Sequence, residues 1–159
     1  MKKYHVAILG ATGAVGMQML EVLLERDFPL ASLHLLASKR SAGKVITMKG
    51  QSFTVAEATE NSFDGIDIVL GAAENDIAKR FIPHAVRAGA VVIDNSSAYR
   101  LDDSVPLIIP EVNPEAVHEH QGIIANPNCA TIIALVALQP LHAKAKIKRM
   151  VVSTYQAVS

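Results

Sequence analysis

Three features of the 159-residue sequence predict an α/β fold built on a doubly wound, mostly parallel sheet. Apolar residues make up 50% of the chain and aromatic residues only 4%, the composition of buried aliphatic strands covered by alanine-rich helices. Short β-type runs alternate with stretches of helical period. The strand runs end on residues that turn or bind, among them Gly10, Gly71, Asp94-Asn95 and Asn126-Pro127. In such sheets ligands sit in the crevice beyond the carboxyl ends of the strands.

The elements follow in order. Val6 to Leu9 reads as a buried strand stopped by Gly10. Ala14 to Glu25 carries Val15, Met19, Val22 and Leu23 at helical spacing, with Glu21 and Glu25 opposite. After a turn at Asp27-Phe28-Pro29, Leu33 to Ala37 forms the second strand. Val45 to Met48 and Ser52 to Ala56 form a hairpin around Lys49-Gly50. Ile66 to Leu70 is a strand entering Gly71, and Asp76 to Arg87 an amphipathic helix closed by Gly89. Val91 to Ile93 is the next strand; Ile108-Ile109 and Gly122 to Ala125 are shorter ones. A helix begins at the Pro127-Asn128 corner and runs to about Pro140, and Met150 to Ala157 is the last strand. There is no internal repeat or low-complexity linker.

Composition narrows the function. Fifteen Lys and Arg balance fifteen Asp and Glu, and no basic tract is present to capture nucleic acid or an anionic membrane. A small-molecule partner is expected. Met1 to Tyr4 leads directly into a strand and has no export-signal pattern. The longest apolar stretch, Ala130 to Leu138, is too short to span a bilayer. One cysteine cannot form an intrachain disulfide, and a cytoplasmic setting is the expectation.

Gly10-Ala11-Thr12-Gly13-Ala14-Val15-Gly16 follows a strand and opens a helix, so unpaired amides and the helix dipole face the turn, where a phosphate is the natural occupant. Gly10 supplies the tight turn, Gly13 lets the backbone approach a pyrophosphate, and Gly16 lets the helix pack on its strand. The spacing is G-x-x-G-x-x-G, and the context points to a Rossmann-like dinucleotide site; a plain tight turn is the alternative. NAD-selective sites carry an acid at the end of the second strand. Here that strand runs into Ser38-Lys39-Arg40-Ser41, two cations flanked by hydroxyls, which suits the 2′-phosphate of NADP. A solvated loop with two surface cations is the competing reading.

Asn126-Pro127-Asn128-Cys129 places the single cysteine in the first turn of a helix. Helix amino termini favour thiolates, and their free amides can receive an oxyanion. A small buried hydrophobe is the equally weighted alternative.

With these residues in view, the chain closely resembles the aspartate-semialdehyde dehydrogenases. The resemblance rests on G-A-T-G-A-V-G at Gly10–Gly16, S-K-R-S-A-G at Ser38–Gly43, D-N-S-S-A-Y-R at Asp94–Arg100, V-P-L-I-I-P-E-V-N at Val105–Asn113, N-P-N-C-A-T at Asn126–Thr131 and the terminal S-T-Y-Q-A-V-S. It implies reversible, phosphate-dependent conversion of L-aspartate 4-semialdehyde to L-aspartyl 4-phosphate with NADP, in lysine, methionine and threonine synthesis. It also implies roles for individual residues. Cys129 is the nucleophile that carries a thioester. Thr12, Gly13, Ala14 and Val15 line the NADP phosphates, Arg40 with Ser41 takes the 2′-phosphate, and Ser159 opens a second glycine-rich cofactor loop. Arg100 with Asn95 binds phosphate, and Gln156 holds the substrate beside the thiol. Without the resemblance, Arg100 reads as a loop salt bridge to Asp102 or Asp103, and Gln156 as one outward position on a strand.

The N-acetyl-glutamyl-phosphate reductases share the chemistry but typically have Gly where this chain has Asn128. A short-chain reductase would need Tyr-x-x-x-Lys, which Tyr4, Tyr99 and Tyr155 do not provide. A non-catalytic nucleotide-binding module is a further alternative, separable by the reactivity of Cys129. Members of the resembled family are roughly twice this long. The resemblance therefore implies an NADP-binding domain over 1–128 and the start of a catalytic and dimerisation domain over 129–159. It further implies a homo-oligomeric full-length enzyme, a general acid/base histidine and a carboxylate-binding arginine outside this chain, and little turnover by the 159 residues alone. The six histidines here match no catalytic or metal-binding pattern.

Overall fold

In the computed structural model of the chain, residues 2–156 are described. The strands are β1 (Tyr4–Leu9), β2 (Leu30–Ala37), β3 (Val45–Met48), β4 (Gln51–Glu57), β5 (Ile68–Gly71), β6 (Val91–Asp94) and β7 (Ile123–Ala125). The helices are α1 (Ala14–Glu25), α2 (Asn75–Arg87) and α3 (Cys129–Ala145). The sheet order is β3-β4-β2-β1-β5-β6-β7, parallel throughout except for the β3–β4 hairpin. With the hairpin strand β3 set aside, this is the order 3-2-1-4-5-6 of a doubly wound dinucleotide fold, with its switch point between β1 and β5.

Alternation along β1 divides the core between the two faces. Ala7 and Leu9 join Phe63, Val69, Phe81, Ile82, Ala85 and Val92 on the α2 side. Ile8 packs with Leu20 of α1, Leu35 and Val55 on the other. The glycines that stop the strands are sterically required. Gly10 has φ +86°, and a Cβ there would lie 2.7 Å from the carbonyl oxygen of Ala72. At Gly16 a Cβ would collide with the carbonyl of Gly10 and the Cα of Ala11, which is the close helix-to-strand approach expected of the third loop glycine.

The structure departs from expectation in three places. α3 continues past Pro140 to Ala145; the ring removes one ladder hydrogen bond, and the surrounding turns still close. Leu107 makes only an isolated bridge to Ala125 where a strand over Ile108-Ile109 was expected, and Pro114–Glu119 forms a 3₁₀ helix. Residues 150–156 of the expected final strand are irregular and exposed. A strand exists only through hydrogen bonds to a neighbour, and none is donated or accepted along this segment's backbone among the described residues. Ala157 and Ser159 lie outside the described residues. Among the described residues no helix is long and apolar enough to cross a membrane.

Candidate functional site

The glycine loop is held by the strands beneath it. The amides of Gly10 and Ala11 both donate to the Leu36 carbonyl, at 2.8 and 3.1 Å, and Gly13 N–H donates to Gly10 O at 3.1 Å. Gly13 is the N-cap of α1 and offers no side chain to its first turn, so the amides of Ala14, Val15 and Gly16 remain for an external acceptor. Gly13 itself has open space beside it: a Cβ would meet nothing nearer than Gly10 O, at 3.5 Å.

Beside this loop lies a crevice of about 410 Å³ over the carboxyl ends of β1, β2, β4 and β5. Gly10, Thr12, Gly13 and Ser38 line it. The cation on its wall from the Ser38–Ser41 turn is Lys39; Arg40 stands outside the lining and Ser41 is buried, 6% exposed. Ala14 and Val15 sit at the helix entrance, and Val15 shares a shallow groove with Asn95 across the switch point. Glu57, Ile77 and Arg80 complete the far wall. Sequence reasoning missed these three because they come from a different strand and from the first two turns of α2.

A second cluster forms where β6 and β7 end. Asp94 is fully buried, and its carboxylate accepts from Ser96 N–H (3.0 Å) and Ser96 Oγ–H (2.6 Å), which folds Asp94-Asn95-Ser96 into a tight turn. Asn75 at the start of α2 clamps the same loop: its Oδ1 accepts from Ser97 N–H at 2.9 Å and its Nδ2 donates to Ser97 Oγ at 2.8 Å. Tyr99 lies next to this turn. Burial first, then the negative charges of Asp94 and Asp102, push its phenol above the usual 10.0.

Arg100 donates from Nε to Asn126 O at 2.9 Å and from Nη2 to Asn95 O at 2.8 Å. The salt bridge to Asp102 or Asp103 that its neighbours suggested is not formed; Asp102 instead accepts from the amide and hydroxyl of Ser104, which holds its carboxyl below the usual range. Asn126 Nδ2 donates to Asn95 Oδ1, tying the two strand ends together. A guanidinium has five N–H donors, so three remain on Arg100 for an anion.

Two residues beyond Asn126, Asn128 caps α3 by accepting from Ala130 N–H at 3.0 Å. Cys129 is the first residue of that helix and is exposed, not the buried small hydrophobe of the alternative reading. Gln156 Nε2 donates to Cys129 Sγ at 3.4 Å. Twenty-seven residues separate this pair in sequence. The structure thus brings Asn95, Arg100, Cys129 and Gln156 to one end of the sheet; the remaining candidate, Ser159, lies outside the described residues.

Residues 5–120 match the family model for the semialdehyde dehydrogenase NAD-binding domain. The chain is 53% identical to aspartate-semialdehyde dehydrogenase of Bacillus subtilis over 155 residues, covering 98% of this chain and 45% of that protein. It therefore spans about half the length of the curated relatives it matches. Among solved structures, aspartate-semialdehyde dehydrogenase II of Vibrio cholerae complexed with ASA superposes with a TM-score of 0.85 at 48% identity, covering 90% of this chain and 47% of that one. The Candida albicans enzyme with NADP gives 0.74 at 31% identity, covering 89% and 47%. By fold, glycine loop and matched length, this chain belongs to the aspartate-semialdehyde dehydrogenase family and carries its dinucleotide-binding domain.

Proposed function

We propose that this chain supplies the NADP-binding domain and the nucleophile of a phosphate-dependent oxidoreductase interconverting L-aspartate 4-semialdehyde and L-aspartyl 4-phosphate, a step toward lysine, methionine and threonine. In this reading residues 1–128 are the cofactor domain and 129–159 open the catalytic domain of a cytoplasmic homo-oligomer. The observation that carries the reading is the approach of Gln156 to the exposed Cys129 thiol at 3.4 Å, beside an arginine fastened to the same strand ends.

The residues fit a dinucleotide: the uncapped first turn of α1 and the open space at Gly13 suit a pyrophosphate. Thr12, Gly13, Ala14 and Val15 would hold it, with Ser38, Arg40 and Ser41, joined by Lys39, around the 2′-phosphate. NADP supplies hydride acceptance when bound. Cys129 Sγ bonds to the aldehyde carbon as a thiohemiacetal and afterwards holds the acyl group as a thioester. Gln156 orients the substrate by its amide. Arg100 and Asn95 position phosphate for attack on the acyl carbon, which releases the thiolate. The amides at the start of α3 receive the negative oxygen that develops at each addition.

The test is a calorimetric titration of the chain with NADP and NAD in low-phosphate buffer. Preferential NADP binding that weakens in Arg40→Ala is the expected result; equal affinity for NAD defeats the NADP assignment. Cys129 should alkylate in the folded chain, whereas inertness until unfolding would return it to a structural role.

A further inference from the structure

The crevice beside the glycine loop contains a group of the wrong sign for a polyanion. Glu57 ends β4 and lines the cavity, and among the described residues its carboxylate has neither a hydrogen-bond donor nor an ion-pair partner. An unpaired carboxylate beside phosphates is repulsive unless it stands apart from them and faces a donor.

Its place in the sheet meets both conditions. Glu57 is in register with Ala37 of β2, and β2 is in turn the neighbour of β1, which feeds Gly10. With strands about 4.8 Å apart, Glu57 stands about 10 Å to the side of the glycine loop, a span that an adenosine bridges. The Ser38–Ser41 turn lies between them, where a ribose would be. The other acid on the wall, Glu74, precedes α2 on the opposite, β5 side. On the same lining as Glu57, Ile77 leaves an aliphatic side chain 40% exposed, an apolar surface of the kind a base plane covers. Arg80 lies with its guanidinium carbon 4.9 Å from the centre of the Phe81 ring, so that its charge lines the same wall.

We propose that Glu57 reads the base of the cofactor: its carboxylate accepts a hydrogen bond from the exocyclic amino group of adenine while Ile77 covers one face of the ring. This selects a purine that presents a donor at that edge over one that presents an acceptor. The assignment rests on the dinucleotide reading above and adds to it the specificity for the base.

Calorimetry with NADP and with its hypoxanthine analogue, in which a carbonyl oxygen replaces the amino group, separates the two. The wild-type chain should prefer NADP by about tenfold, the size of one hydrogen bond to a charged group together with the mismatch it creates. Glu57→Ala should weaken NADP and tighten the analogue, so that the tenfold preference is lost. Glu57→Gln, whose amide offers an acceptor and a donor, should narrow the preference. Thermal melts of these exposed-site variants should match wild type. Equal binding of the two dinucleotides by wild type, or full preference retained in Glu57→Ala, overturns the assignment and leaves the dinucleotide site standing. Failure of both dinucleotides to bind removes the site and the assignment together.

Discussion

α2 and α3 are both regular helices with a proline inside, yet they are built for different surroundings. In α2, Ala78, Phe81, Ile82 and Ala85 form one buried stripe against the sheet, and charged residues fill the opposite face. In α3 the apolar residues run around the whole circumference, none is buried, and Ile133 is 74% exposed. A one-sided stripe is satisfied by one sheet face, whereas a helix apolar on every side is the kind that other elements cover from several directions. The sheet domain is therefore self-sufficient. α3 and the irregular segment behind it carry Cys129 and Gln156 on a support that contributes little to the core.

The largest expected effect breaks or sharpens that contrast directly. Phe81→Ala should cost about 3–5 kcal/mol, because it empties a packed core between α2 and the sheet, while Ile133→Ala in α3 should stay within about 0.5 kcal/mol. Urea unfolding of the two variants measures both, and equal losses would mean that α3 is as deeply integrated as α2. The next effect lies where backbone meets backbone under the loop. Gly10→Ala, at φ +86° and with Ala72 O in the way, should cost about 2–4 kcal/mol by combined left-handed strain and overpacking; a melt like wild type would contradict the packed geometry.

Gly13 supplies the counterpart within the same loop. Gly13→Ala has room in the free protein and should change stability by less than about 1 kcal/mol. It should nevertheless weaken NADP about tenfold or more, since the added methyl occupies the approach to the phosphates. Undiminished binding would show that the dinucleotide does not come close there.

The smallest effect is on alkaline stability. Tyr99 packs against the α2-side core, and its phenol is raised above 10.0 by burial, then by Asp94 and Asp102. A pKa raised in the folded state means that the native form holds the proton longer. The associated stability is thus complete below pH 10 and lost as pH climbs through the folded value. Tyr99→Phe should flatten the decline in stability above pH 10, read by circular dichroism against pH; an unchanged slope would show that Tyr99 does not report on this turn.

Much of this was legible before any coordinates. Alternating strand and helix periods, the glycines that stop β1, β5 and α2, and a cysteine after Asn128 are local patterns, and local patterns survive translation into structure because they depend on neighbours three or four residues away. The end of the chain was less legible: Met150 to Gln156 has strand composition and no strand, since composition cannot supply a pairing partner. The site itself belongs to the tertiary structure. Strand order alone sets Glu57 in one crevice with Lys39, and Asn126 beside Asn95. Arg100 ignores the adjacent Asp102 and Asp103 and binds the carbonyls of Asn95 and Asn126, because the direction in which a strand end points its carbonyls is decided by the sheet and leaves no mark on the residues that flank the arginine.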